Sequence, residues 1–184
     1  LMPALWPLGI CCTMKSMLGN LTEQEIDTVL ATNVLGHLGC STEDMPFVFP
    51  MIYGYHDNII YGQTTIGKKV EIIRNNPTVC FQVEKITDKS WTSVMCWGQF
   101  QELDFSELRD SEAMQSVQHL TGRLGSLQKK YGIDVPFSFE DKPLPKTAYG
   151  KQSTLFRIII KKKTGRHYES NVGKEQTEEM HSQK

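Results

Sequence analysis

The chain has 184 residues and a mass of 21.0 kDa, enough for one ordinary domain, and its 39% hydrophobic content with three Trp, six Tyr and eight Phe excludes disorder as the state of the whole. No stretch approaches the ~20 consecutive apolar residues of a membrane-spanning helix. Twenty basic residues against 21 acidic ones, a formal net charge of −1, give no general attraction for a phosphate backbone, so neither a membrane nor a nucleic acid is an expected partner and any anion site must be local.

The first 17 residues open apolar and Pro-broken without a basic leader pattern, and are read as a poorly ordered extension or as sequence ahead of a start at Met14 or Met17. A domain is expected over 18–168, and the polar stretch 169–184 is expected to be a frayed tail. Thr22 and Glu25 form a capping box for a short helix that buries Ile26, Val29 and Leu30. Strand patterns follow at 34–40, 46–55 and 59–61, with Pro50 calling for an edge or a bulge. Residues 62–67 read as a small-residue loop and 68–75 as a helix ending at Asn76 and Pro77. Two long strands are expected over 78–86 and 91–103, the second with Gly98 as a bulge site. Helical spacing returns at 106–130, a Pro-marked loop follows, and 154–161 is the closing strand. The order predicts a mostly β fold with flanking helices, an antiparallel meander that tends to close into a small barrel.

Five cysteines, an odd number with no CxxC pair, signal neither a disulfide framework nor a zinc knuckle and suit a reducing, cytoplasmic setting. No His/Asp/Glu cluster has metal spacing and no GxSxG elbow occurs. The segment with chemical promise is 61–69. A strand ends, hydroxyls follow at Thr64 and Thr65, and a helix begins with Lys68 and Lys69. Helix N-termini offer free N–H groups and partial positive charge, the requirements of a phosphate. The same residues also fit an ordinary surface helix with solvated lysines.

Three blocks together shift that balance: PFVFPMIYGYHD at 46–57, IYGQTTIGKKVEIIRNNPTVCF at 60–81 and WTSVMCWG at 91–98. In this order and near this spacing they resemble the FMN-binding split-barrel family of pyridoxamine 5′-phosphate oxidase-like proteins, nearest to the branch of the nitroimidazole-resistance proteins. The resemblance covers about 18–104, with a weaker echo at 154–168. It implies an FMN-binding split β-barrel, antiparallel and Greek-key-like. It implies a homodimer and a flavin-dependent oxidoreductase that acts on a small electron-accepting substrate of nitroaromatic or quinone type. Val48, Phe49, Met51 and Ile52 would lie along the flavin ring, partly through backbone groups, although strand alternation lets only half of these side chains face it. Thr64 and Thr65 would lie near the phosphate, with Lys68 and Lys69 pairing its charge, and Ser93 would reach the flavin across a subunit interface. Gln63 stands where the branch has a His, so no chemical role of that His carries over. In this residue's place it is either a flavin neighbour or an anchor of the loop. Lys162 to His167 occupies the stretch where the true oxidases place basic substrate contacts, and Arg166 and His167 read as solvated strand-end charges. The other class of function that fits is a non-catalytic split barrel carrying FMN, F420 or haem, with His37 or His119 as axial-ligand candidates.

Overall fold

In a computed structural model the described residues are 17–43, 45–103, 129 and 153–169. The expected helix at 106–130 (apart from Lys129), the Pro-marked loop, His119 and the two ends lie outside them. In chain order the elements are β1 (Met17–Asn20), α1 (Glu23–Thr32), β2 (Leu35–Thr42), β3 (Met45–Ile52), β4 (Gly54–His56), β5 (Ile59–Thr65), α2 (Lys68–Asn75), β6 (Thr78–Ile86), β7 (Ser90–Leu103) and β8 (Ser153–Glu169).

Helix α1 starts where its cap demands. The Thr22 hydroxyl accepts from the Glu25 backbone N–H at 3.3 Å, and the Glu25 carboxylate accepts from the Thr22 N–H at 2.7 Å. The helix buries Ile26, Val29 and Leu30, each such side chain contributing roughly 1.5–3 kcal/mol. It docks over Gly165, where a Cβ would come within 2.7 Å of Leu21 and 2.8 Å of Ile26.

The strands form one eight-stranded antiparallel sheet of order β3-β2-β6-β7-β8-β5-β4, with β1 also on β8. Alternation sends Leu38 and Cys40, Val79, Phe81 and Val83, and Val94 and Cys96 to the inner face, where they join Tyr53, Phe156 and Ile158 in the core. Tyr53 is fully buried, yet its phenol donates to the Leu30 carbonyl at 2.8 Å and its ring meets Phe81 edge-on at 5.0 Å. Among the described residues no ladder joins β3 to β4 or β5, so the barrel is split there instead of closing through hydrogen bonds.

Several expectations change at this level. The 46–55 run, expected as one strand, is two strands broken at Tyr53, while the edge expected at Pro50 is present. Pro50 lies on β3, an edge strand paired only to β2, where a missing N–H is tolerated. The expected loop at 62–67 is strand through Thr65, because Gln63, Thr64 and Thr65 pair with Leu155, Thr154 and Ser153. The closing strand runs from Ser153 to Glu169, well past 161, since β7 flanks it and both β5 and β1 continue its other side. Gly98 does mark a register shift, and a Cβ there would lie 2.4 Å from the Ile159 carbonyl oxygen. The tight turn after β4 holds Asp57 and Asn58 at φ of 45° and 60°, a conformation these two residue types tolerate.

Candidate functional site

Glycine brings two of the sequence blocks together. A Cβ on Gly62 would sit 2.5 Å from the Phe156 ring and 3.2 Å from the Ile52 carbonyl oxygen, so only glycine lets β5 lie this close to the end of β3. Beyond β5, Gly67 caps α2 with no side-chain hydrogen bond, and no described residue lies within 4 Å of where its Cβ would be. Among the described residues Gly67 is thus uncovered, with Lys68 exposed and Lys69 half-buried in the first turn of α2. The Lys69 Nζ lies 3.1 Å from the Met51 sulfur and 5.2 Å from the centre of the Phe49 ring. Among the described residues no carboxylate pairs with it. Burial holds its pKa below the ordinary lysine value, with the Cys40 thiol acting weakly in the opposite sense.

The ten candidates of the sequence thus divide. Phe49 and Met51 share the inner face of β3 with Lys69, while Val48, 67% exposed, and Ile52 lie on the outer face. Thr64 is buried opposite Thr154, Thr65 is exposed, and Gln63 is half-buried opposite Leu155. Ser93 does not join the Lys69 group. It sits on the outer face between Glu84 and Arg166, accepts weakly from the Gln82 amide at 3.4 Å, and lies on β7, three strands from β3. That separation is roughly 14 Å.

A second cluster had no sequence signal. The Asp27 Oδ1 accepts from Lys163 at 2.5 Å and from the Tyr55 hydroxyl, and Lys163 also reaches Asn58 at 2.7 Å and Glu23 at 3.1 Å. Partial burial opposes the Asp27 charge, but the hydrogen bonds from Lys163 and Tyr55 outweigh it and leave the carboxyl below its ordinary pKa. Burial, then the bond to Asp27, pushes Tyr55 up to about 12. Burial also works against the Lys163 charge, and the bonds to Asp27 and Glu23 overcome it and raise that pKa. The cluster edges an open cavity of about 390 Å³ between α1 and the β4–β5 turn. His37 and His167 each keep a buried Nδ1 without a partner, and no group of three metal-ligating side chains occurs among the described residues.

The family model for pyridoxamine 5′-phosphate oxidase matches residues 22–130. The chain belongs to this family. An uncharacterised protein of Rhizobium meliloti is 29% identical over 149 residues, 79% of this chain and 92% of its own. A FAD-binding protein from Mesorhizobium loti is 27% identical, with a TM-score of 0.62 over 83% of this chain and 98% of its own. A candidate 5-nitroimidazole antibiotic resistance protein from Bacteroides thetaiotaomicron has the same fold at 20% identity, with a TM-score of 0.52 over 84% of this chain and 90% of its own. In this family member the stretch from Lys162 to His167 is the second half of β8. Lys163 is committed to Asp27, Arg166 is exposed opposite Ser93, and His167 occupies the space that Gly19 leaves, where a Cβ would be 2.5 Å from the ring.

Proposed function

We propose that this member of the family is a flavoprotein that binds FMN between the β5–α2 segment and β3. In this reading it is an oxidoreductase that reduces a small electron-accepting substrate of nitroaromatic or quinone type. One observation carries the reading: Lys69 is a half-buried ammonium with no carboxylate partner among the described residues, in the first turn of a helix whose N-cap, Gly67, makes no side-chain hydrogen bond. Such a cation needs an anion, and a phosphate monoester on that turn meets both the charge and the free N–H groups. The relative named as FAD-binding supports a flavin ligand. FMN ends in a free phosphate monoester, whereas in FAD that phosphate is one half of a pyrophosphate, so the reading commits to FMN.

A bound flavin supplies hydride or single-electron chemistry. The chain supplies the rest. Lys69 and Lys68 offset the phosphate charge, and the exposed Thr65 hydroxyl donates to it. Phe49 and Met51 give an apolar wall beside Lys69. Gln63 hydrogen-bonds but does not titrate near neutral pH, so no proton is delivered from that position. A homodimer fits the outer face of the sheet, where the exposed side chains of Leu35, Val48, Ile86, Trp91 and Trp97 share one side with Ser93. Cys40, Cys80 and Cys96 are all free thiols, which suits the cytoplasm. Among the described residues no helix is long and apolar enough to cross a membrane.

The test is the visible spectrum of the purified protein, with mass spectrometry of the released cofactor and turnover of a nitroaromatic and a quinone. Flavin bands, an FMN mass and turnover are expected. A Soret band, or no chromophore and no flavin uptake, overturns the reading.

A further inference from the structure

Lys69 is placed by two groups that carry no negative charge. The Met51 sulfur takes one ammonium hydrogen at 3.1 Å, and the Phe49 ring offers its face at 5.2 Å. A lysine ammonium has three donors, so the sulfur contact leaves two for another acceptor. The wall is otherwise apolar, with Met51 5% exposed and Phe49 packed against the core. Of the titratable groups on the elements packed here, Cys40 of β2 faces Lys69, and burial raises its pKa, so it is a neutral thiol. Arg74 at the other end of α2 is instead neutralised by Glu102, 2.6 Å away. The one helix thus carries a paired cation at its C-terminal end and an unpaired one at its start.

Alternation makes the arrangement specific. Only the inward residues of β3 reach Lys69, so Met51 does and neighbouring Ile52 does not. A thioether is a weak acceptor and an aromatic face a weak partner for a cation. They fix the ammonium in direction without cancelling its charge.

We propose that Met51, assisted by Phe49, is a positioning residue that keeps Lys69 oriented and unpaired for a phosphate monoester, and that it thereby sets the preference of this site for the phosphorylated over the unphosphorylated form of its ligand. The proposal rests on the flavin reading above for the identity of that ligand.

The experiment measures FMN and riboflavin affinity by fluorescence titration on the full chain, for the parent, Met51→Leu and Met51→Glu. Leucine keeps the volume and the fold but loses the sulfur contact. The ratio of FMN to riboflavin affinity is expected to fall by about threefold in Met51→Leu. In Met51→Glu, which gives Lys69 an internal carboxylate, it is expected to fall by at least about tenfold. The ratio is the readout because Met51 also walls the site: a general packing defect lowers both affinities alike and leaves the ratio unchanged. Ratios within about twofold of the parent in Met51→Leu and in any folded Met51→Glu overturn the proposal. A second readout separates this from failure of the flavin reading. In NMR of the unmodified, ¹³C-labelled lysine side chains, Lys69 should titrate below the ordinary lysine value in the parent, and Met51→Glu should raise it. If the parent binds neither flavin, the flavin reading fails while this titration still decides the role of Met51. A Lys69 titration that Met51→Glu leaves unmoved overturns it.

Discussion

Lys163 Nζ lies 2.5 Å from Asp27 Oδ1 and so ties strand β8 to helix α1 across 136 residues of chain. The Lys163 side chain is only 8% exposed, whereas Asp27 is 43% exposed. The lysine therefore depends on the pair more than the aspartate does. Asp27→Asn should cost about 1–2 kcal/mol, below the usual figure for a fully buried pair because Glu23 remains and solvent screens the carboxylate. The pH dependence has a definite sign. Asp27 has a lowered pKa, so its contribution is complete above the unfolded value of about 3.9 and is lost as pH falls through the folded one. Lys163 has a raised pKa, so its contribution is complete below about 10.4 and is lost as pH rises through the folded value. Urea unfolding across pH 3 to 11, a range set to span those two values, should show both limbs in the parent. The acid limb should be flatter in Asp27→Asn, and parallel curves would refute the assignment.

The two lysines of α2 should not be equivalent. Lys69 is half-buried and aimed at β3, while Lys68 is exposed. A charge-assisted phosphate contact is worth roughly 1.5–3 kcal/mol. Lys69→Ala should therefore weaken FMN at least about tenfold, Lys68→Ala less, and the double change at least as much as Lys69→Ala. Equal affinity for all three variants and the parent in a fluorescence titration would move the phosphate elsewhere.

Gly62 tests the packing that brings β5 to β3. Gly62→Ala puts a methyl group 2.5 Å from the Phe156 ring and 3.2 Å from the Ile52 carbonyl oxygen. The overpacking should cost about 1–3 kcal/mol and lower the thermal midpoint, whereas Gly67→Ala, with nothing within 4 Å, should change it far less. A melting comparison of the two variants decides it.

If the outer face is the dimer face, Ser93→Trp should disturb mass and flavin together. Ser93 shares that face with Trp97 and Val48 yet lies far from Lys69 within its own chain. Light scattering and FMN titration on one sample are the check. A variant that keeps both its dimer mass and its FMN affinity would contradict the proposed interface.

Gln63→His asks whether the end of β5 touches the chemistry. Gln63 is half-buried in the ladder opposite Leu155. Beside the reacting ring, a histidine would add a rate dependence centred near its ordinary pKa of about 6.5. Superimposable rate–pH curves for parent and variant would make the residue an anchor only.

Much of the fold was legible because its signals are local. The Thr22–Glu25 box, the end of α2 before Pro77 and the irregularity at Gly98 each rest on a few neighbouring residues. The extension of β5 to Thr65 was not legible, since its partners Ser153 to Leu155 lie some 90 positions on and hydroxyl-rich residues there look like a loop. For the candidate site, alternation already implied that Val48 and Ile52 part from Phe49 and Met51. Which pair meets Lys69 is fixed by the register of β2 and β3 around Leu38 and Phe49, and that register is tertiary. The Asp27–Lys163–Tyr55 cluster joins three distant elements and left no pattern to read.

Strand β8 has a consequence for synthesis. It is the last described element, yet it pairs with β7 along one side and with β5 and β1 along the other. A ribosome delivers β1, β5 and β7 long before their shared neighbour exists, at roughly 5–20 residues per second. Until about residue 169 has emerged, three strands wait with unpaired backbone edges, and the helix α1 lacks both the Gly165 surface it docks on and the lysine that pins it. A chain that stops before Ser153 is left with those edges permanently open and should associate through them instead of folding.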